Sequence, residues 1–92
     1  MSALVVVDFT PLNKEKMQEY GASAAATIAQ HGGEFIAKGQ IESLAGEASH
    51  KMKAVIQFTD LEAAKRWYLS DEYQAIIPLR EQGMDAKFHL VG

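Results

Sequence analysis

The sequence predicts a small α+β domain in which strands and helices follow in the order βαββαβ. Four short segments alternate apolar with other residues, which is the period of a half-buried strand. The first and third of them are followed by segments with apolar residues at intervals of three and four, as in an amphipathic helix. An internal repeat supports this division, because Val6-Val7-Asp8-Phe9-Thr10-Pro11-Leu12 resembles Val55-Ile56-Gln57-Phe58-Thr59-Asp60-Leu61.

The first strand and first helix have clear boundaries. The strand is predicted over Ala3 to Phe9, before Thr10-Pro11, with an apolar face of odd-numbered residues. Asn13 is a suitable N-cap for a helix from about Lys14 to His31. Gly32 can end that helix in the left-handed conformation.

The middle of the chain predicts two strands joined by a polar connection. The second strand covers Glu34 to Gly39, with Phe35 and Ala37 opposite Ile36 and Lys38. Gly39 is expected to mark a bulge or bend. Residues 41–44 extend this strand in one interpretation, before a polar connection over 45–51 and a third strand over 52–58.

The second helical region is predicted in two parts. Thr59-Asp60-Leu61-Glu62 has the spacing of a capping box and begins a helix over about Asp60 to Leu69. Ser70 can cap a further short helix, which Pro78 interrupts and Gly83 ends. Met84 to Val91 is the fourth strand. This order gives an antiparallel four-stranded sheet of ferredoxin-like topology, with an extra short helix before the last strand and one domain over residues 1–92.

Composition excludes several classes of protein. The net charge is −3 and no basic stripe is present, so a nucleic-acid partner is not expected. The chain has no cysteine, which excludes disulfides and thiolate chemistry. No apolar run approaches the roughly 20 residues that span a bilayer, so no membrane association is expected. We expect a cytoplasmic protein.

One face of the predicted sheet is neither clearly exposed nor clearly buried. The helices are expected to cover the other face. A homodimer that closes this mixed face against a second copy is the preferred interpretation, and a half-hydrated exposed sheet is the alternative. The face combines apolar residues with a few polar ones: Leu4, Val6, Val55, Val91, Asp8, Gln57 and His89.

Two segments resemble a known family. His31-Gly32-Gly33 resembles its His-Gly-Gly element, and the stretch from Trp67-Tyr68 through Ser70 and Glu72-Tyr73 to Pro78-Leu79-Arg80 resembles its Trp-Tyr-x-Ser-x-Glu-Tyr…Pro-Leu-Arg element. This is the domain of unknown function 1330 family, in the dimeric α/β-barrel superfamily. The resemblance implies a ferredoxin-like protomer that dimerises through its sheet. It implies little about chemistry, since related barrels include cofactor-independent monooxygenases, lactone isomerases and haem-handling enzymes.

Aromatic residues and one arginine are the first candidates for ligand binding. Trp67, Tyr68 and Tyr73 can stack on a flat organic ligand, although core packing is the preferred role of such rings. Trp67 and Tyr68 cannot point in the same direction from one helix, so one of them should face solvent or the short helix. Arg80 can clamp a carboxylate or enolate, or it forms an ion pair with Asp71, Glu72 or a partner's acid.

Groups for proton transfer are the second set of candidates. Asp8 and His89 share the mixed sheet face and form either an acid–base dyad or, preferably, an interfacial hydrogen bond. Tyr20 is a further candidate for proton transfer. His31 is expected to stabilise the end of its helix, and His50 is expected to be solvated. The spacing of the three histidines gives no metal signal, so no metal is expected.

These features favour a homodimer that binds a small aromatic or carboxylated compound. One hypothesis is an oxygenase- or isomerase-like enzyme that has no tightly bound cofactor. The alternative is a dimer that binds a metabolite without catalysis or has a purely structural role. The predicted ligand-binding residues are Asp8, Tyr20, Trp67, Tyr73, Arg80 and His89.

Overall fold

A computed structural model describes residues 2–92 and contains four strands and four helices. The strands are β1 (Ala3–Pro11), β2 (Glu34–Gln40), β3 (Met52–Phe58) and β4 (Met84–Val91). The helices are α1 (Lys14–Gln30), α2 (Leu61–Leu69), α3 (Asp71–Gln74) and α4 (Ile77–Gly83). The strands form one antiparallel sheet in the order β2-β3-β1-β4. This confirms the predicted ferredoxin-like α+β fold.

Side-chain caps begin the two longer helices. Asn13 accepts a hydrogen bond from the backbone N–H of Lys16 at 3.1 Å, as predicted. The prediction of Thr59 as the cap of α2 is wrong, because Asp60 holds that position. Its carboxylate accepts from the N–H of Ala63 at 2.8 Å. An aspartate at this place also favours the positive end of the helix.

The region after α2 contains two short helices instead of one interrupted helix. Ser70 caps α3 through the N–H of Tyr73, as predicted. A second helix, α4, then begins at Ile77, with Pro78 in its first turn. Proline fits there because the N–H groups of the first turn have no acceptor within the helix, so the N–H that proline lacks is not needed. Pro78 therefore helps to begin a helix, and Gly83 ends that helix as expected.

A bulge in β2 changes which side chains face the helices. The register shifts between Phe35 and Ala37, so the irregularity lies there and not at the predicted Gly39, which pairs with Lys53. Phe35 pairs with the buried Ile56, and Lys38 pairs with the buried Ala54. Both therefore lie on the helix side of the sheet, whereas simple alternation predicted opposite sides.

The connection between β2 and β3 is irregular. Residues 41–44 are not a strand, so that interpretation is wrong. One backbone hydrogen bond continues the pairing, from the N–H of Ile41 to the carbonyl of Lys51 at 2.9 Å. No helix within residues 2–92 is both long and apolar enough to cross a membrane.

The core lies between the helices and one face of the sheet. Trp67 and Tyr73 are fully buried in it, under the rows of apolar residues from β1 and β3. Helix α4 packs tightly on α1, because Gly83 lies against the backbone of Met17 and accepts hydrogen bonds from the N–H groups of Leu12 and Asn13. The short helices are thereby held against the N-terminal half of α1.

Candidate functional site

Each of the four helices contributes one polar side chain to a buried cluster. We call Tyr20, Tyr68, Tyr73 and Arg80 the tyrosine–arginine cluster. Nη1 of Arg80 donates to the hydroxyl of Tyr73 at 2.9 Å and to that of Tyr68 at 3.2 Å. The hydroxyls of Tyr73 and Tyr20 are 2.7 Å apart and share a hydrogen bond. The cluster thus links α1 to all three later helices.

Aromatic rings surround the guanidinium. Its carbon atom lies 4.5 Å from the centre of the Phe88 ring, a distance suited to a cation–π interaction. The predicted ion pair of Arg80 with Asp71 or Glu72 is absent, since the salt bridge between Lys53 and Asp8 is the one found within residues 2–92. Within this chain, Arg80 is stabilised by hydroxyl groups and an aromatic face.

Tyr20 and Tyr73 are neutral hydrogen-bonding groups. Burial raises the pKa of Tyr20 well above its ordinary value, and the neighbouring Tyr73 adds to this effect. Burial also raises the pKa of Tyr73, although its hydrogen bonds with Tyr20 and Arg80 oppose the rise. Burial lowers the pKa of Arg80, but hydrogen bonds to Tyr68 and Tyr73 outweigh it and the pKa is raised. Tyr20 is therefore suited to donate a proton in a hydrogen bond and unsuited to act as a base.

A cavity of about 50 Å³ lies between α1 and the sheet, beside the ring of Tyr20. Its walls are almost entirely apolar, and Phe35 and Lys38 of β2 form one side of it. The Phe35 side chain is 40% exposed, so this side is the edge nearest to solvent. The other lining residues come from α1 and the sheet: Val7, Phe9, Met17, Gly21, Ala24, Ile28, Ala54, Ile56, Met84 and Phe88.

Arg80 fixes the direction of one hydrogen bond in the cluster. It has no acceptor atom, so it donates to Tyr73. Either hydroxyl can be the donor in the bond between Tyr73 and Tyr20. No buried side-chain nitrogen or oxygen within residues 2–92 lacks a hydrogen-bond partner. Because Tyr20 also lines the cavity, these hydrogen bonds connect Arg80 to a residue of the cavity wall.

The structure brings together three of the predicted site residues, Tyr20, Tyr73 and Arg80. Trp67 packs beside them, with its ring centre 4.4 Å from that of Tyr73. Its Nε1–H donates to the hydroxyl of Thr27 at 3.0 Å, so its polar atom is directed into the core. Full burial of Trp67 and Tyr73 agrees with the packing role that the sequence favoured.

Asp8 and His89 lie elsewhere, on the sheet face opposite the helices. Asp8 pairs with Lys53 at 3.3 Å and lies across from Lys87 on β4. His89 lies across from Val6 and is exposed. Asp8 and His89 are offset by two residues along the paired strands and form no hydrogen bond. The structure therefore contains no Asp8–His89 dyad within one protomer.

The other two histidines have structural positions. Nδ1–H of His31 donates to the carbonyl of Thr27 at 2.9 Å, at the end of α1 as expected. The prediction that His50 is solvated is wrong, because the residue is 6% exposed and Nδ1 lies 2.8 Å from the hydroxyl of Thr10. No group of three or more potential metal ligands lies together in the described part of the chain.

Sequence reasoning missed several residues of this region. Tyr68 was considered for stacking on a ligand, but its hydrogen bond with Arg80 was not predicted. Phe88 was assigned to the core without its contact to the guanidinium. Phe35 and Lys38 were predicted on opposite faces, whereas the bulge places both on the helix side of the sheet. The single available signal was Phe35 beside Ile36, two adjacent apolar residues that break a strict alternation.

Solved structures from other organisms share this fold. A protein of unknown function from Rhodopseudomonas palustris superposes with a TM-score of 0.79 at 13% identity, over 98% of this chain and 80% of that one. A dimeric ferredoxin-like protein of unknown function from Jannaschia sp. CCS1 gives a TM-score of 0.76 at 13% identity, over 100% and 99%. SnoaB, a cofactor-independent oxygenase from Streptomyces nogalater, gives 0.72 at 15% identity, over 99% and 91%.

Identities this low establish a common fold and do not transfer an activity. No curated protein matches the sequence. The profile of one family, described as a domain of unknown function (DUF1330), matches residues 2–92, which include both segments that carry the resemblance noted above. The protein is therefore a member of the DUF1330 family.

Proposed function

We propose that the protein is a homodimer that binds a small compound in the cavity between α1 and the sheet. The compound has an apolar, preferably aromatic, body and at least one oxygen that accepts a hydrogen bond. The observation that carries this proposal is the hydroxyl of Tyr20. Tyr20 is 7% exposed, is hydrogen-bonded to Tyr73 and lines the cavity. Tyr20 carries the one hydroxyl group among the lining residues, so a ligand oxygen is expected to hydrogen-bond to it while the apolar walls contact the body of the ligand.

The cavity must widen to admit such a compound. At about 50 Å³ it is far below the roughly 300–1,000 Å³ of common ligand pockets. Two of its lining residues are Met17 and Met84, whose unbranched side chains repack readily. Phe35 is partly exposed at the edge strand and can turn outward. We therefore expect binding to move these side chains while the sheet and α1 stay in place.

A carboxylate on the ligand has a partner at the edge of the cavity. Lys38 lies on the helix side of β2 because of the bulge, and its Nζ is 5.6 Å from the centre of the Phe35 ring. No acidic residue lines the cavity within the described part of the chain. A compound with an aromatic body and a terminal carboxylate therefore matches both the walls and the charged edge.

A catalytic role is the second candidate for the same site. A neutral tyrosine hydroxyl can stabilise an oxygen that becomes negative during a reaction. This would suit an oxygenase or isomerase without a bound cofactor, and SnoaB, which shares the fold, is described as a cofactor-independent oxygenase. Turnover of a compound found by binding separates this role from binding alone.

A screen of small aromatic acids, phenols and ketones by thermal shift tests the binding proposal. A hit should bind wild-type protein and lose about tenfold or more in affinity with Tyr20→Phe, measured by calorimetry. Tyr68→Phe is the matched control, since it removes a hydroxyl that bonds Arg80 but does not line the cavity. Equal affinity of the two variants, or no hit at all, would count against the site.

A further inference from the structure

A second concave surface lies between α2 and β4, away from α1. It is a groove of about 360 Å³, within the roughly 300–1,000 Å³ of common ligand pockets. Phe88 is the one residue that lines both this groove and the cavity beside Tyr20. The groove opens on the helix side of the sheet, so a second copy on the opposite face would leave it accessible.

Aromatic and aliphatic side chains form the walls of the groove. The rings of Tyr68 and Phe88 are half-buried, and their centres are 6.0 Å apart. The hydroxyl of Tyr68 accepts a hydrogen bond from Arg80 at 3.2 Å, which holds the ring in place. Leu69 and Leu90 also line the groove and are 71% and 38% exposed, so apolar surface meets water at a concave place. Such a surface favours an apolar compound, and a wall that is already ordered lowers the entropic cost of binding.

The groove carries a positive charge and no negative one. Lys65 is exposed and is the one lysine, arginine, aspartate or glutamate among the lining residues. His89 belongs to the same stretch of β4, but its side chain lies on the other sheet face, because Phe88 and Leu90 lie on the helix side. No carboxylate within residues 2–92 lies within salt-bridge distance of Lys65. Its ammonium is therefore available to an anionic ligand.

We propose that the groove between α2 and β4 is a separate binding site for a small aromatic carboxylate, with the ring against Tyr68 and Phe88 and the carboxylate beside the ammonium of Lys65. Burial of the ring supplies most of the affinity, since an exposed ion pair changes affinity by only about fivefold. Lys65 gives the site its preference for a negative charge. Tyr20 takes no part, so this site is independent of the cavity.

The probe for this inference is beta-naphthoate, and the uncharged beta-naphthamide is the matched control compound. Naphthoate should bind about fivefold tighter than the amide, measured by calorimetry. Lys65→Met keeps the length of the side chain and removes its charge, so it should remove this difference while leaving the affinity for the amide unchanged. Arg66→Met is the control variant and should keep the difference, because Arg66 is the next exposed residue of α2 and does not line the groove.

Amide NMR signals locate the bound compound. Naphthoate should shift the signals of Leu69 and Leu90, and Tyr20→Phe should leave its affinity unchanged. Shifts confined to cavity residues such as Gly21 and Ala24 would overturn the groove site and support the cavity instead. Equal affinities of the two compounds, or equal effects of the Lys65 and Arg66 variants, would overturn the role of Lys65 as the anion's partner. No binding of naphthoate at millimolar concentrations would reject the groove, and the compound screen with Tyr20→Phe then tests the cavity by itself.

Discussion

At the scale of single residues, Thr27 joins α1 to α2 through one hydroxyl group. The hydroxyl donates to the carbonyl of Ala24 at 2.8 Å and accepts from Nε1–H of Trp67 at 3.0 Å. Trp67 has no exposed surface, so water cannot replace Thr27 as its acceptor. A threonine on the buried side of a helix is therefore the partner that allows a tryptophan to be fully buried.

Replacing Thr27 with valine tests this role. Valine has nearly the same shape, so packing is kept while Nε1–H of Trp67 is left buried without an acceptor. We expect the free energy of unfolding to fall by about 1–3 kcal/mol, measured by urea denaturation. Thr27→Ser is the matched control, because it keeps the hydroxyl and should retain most of the stability lost in the valine variant. A valine variant as stable as the serine variant would contradict this role.

The buried tyrosines make the free energy of unfolding depend on pH in the alkaline range. The pKa values of Tyr20 and Tyr73 are raised in the folded state above the ordinary value of 10.0. Unfolded tyrosines lose their protons above that pH while the folded ones keep them. Their contribution is thus complete below pH 10 and is lost as the pH rises further.

Tyr20→Phe should reduce this dependence. Each such tyrosine adds a slope of up to about 1.4 kcal/mol per pH unit above its unfolded pKa. Urea denaturation from about pH 9 to about pH 11 should therefore show a smaller loss of stability in the variant than in the wild type. The comparison removes the effect of lysines, which both proteins share. Equal slopes would show that Tyr20 ionises while the protein is folded.

The role of a single side chain could be predicted from sequence more easily than the residues that it contacts. The preference of Trp67 and Tyr73 for packing follows from ring size, and the different directions of Trp67 and Tyr68 follow from helix geometry. The bond between Tyr20 and Tyr73 joins residues 53 positions apart. No local pattern indicates such a contact, so the choice of Arg80 between a ligand and an acid could not be made from sequence.

At the scale of elements, short sequence patterns predicted the features that neighbouring residues determine, such as helix caps. Asn13 and Ser70 have the chemistry of N-caps and occupy those positions. Thr59 and Asp60 are adjacent, and both have side chains suited to an N-cap. The sequence therefore could not decide which of them caps α2. The bulge in β2 depends on pairing with β3, so alternation within β2 alone wrongly placed Phe35 and Lys38 on opposite faces.

Two glycines of the helical layer should respond oppositely to alanine. A Cβ at Gly21 of α1 would meet no atom within 4 Å, whereas one at Gly83 would lie 2.7 Å from the backbone N of Met17. Gly21→Ala should stabilise the protein by about 0.5–1 kcal/mol through helix propensity. Gly83→Ala should destabilise it by about 1–3 kcal/mol, because α4 must move away from α1.

Thermal unfolding of the two variants under one condition measures this contrast. The same substitution at both sites controls for the added methyl group, so the difference reports the packing of α4 on α1. Gly83→Ala should also weaken binding of any cavity ligand, since the movement of α4 shifts the adjacent Met84, which lines the cavity. A Gly83 variant with wild-type stability would mean that α4 is loosely held.

At the scale of the whole molecule, the order of elements was predictable, and the sheet face that the helices leave uncovered is the candidate assembly surface. Strand order follows from βαββαβ topology, since few arrangements of such a chain keep short, right-handed connections. All helices pack on one side, and the face with Val6, Asp8 and Val55 is only half-buried within one chain. The Jannaschia protein of the same fold is described as dimeric. We expect a second copy to cover this face.

Val55→Glu tests that assembly at the centre of the face. Val55 lies across from Val6 and Ala37, so no cation is directly opposite to pair with the new carboxylate. If two copies close on this face, the variant buries an unpaired charge, and the dimer should weaken by about a hundredfold or more. If the face is exposed in a monomer, a glutamate there is solvated and changes little. Sedimentation equilibrium over micromolar concentrations separates the two cases, with Ala26→Glu on the exposed side of α1 as the matched control. A wild-type mass equal to one chain, or a Val55 variant that remains dimeric, would reject this surface as the interface.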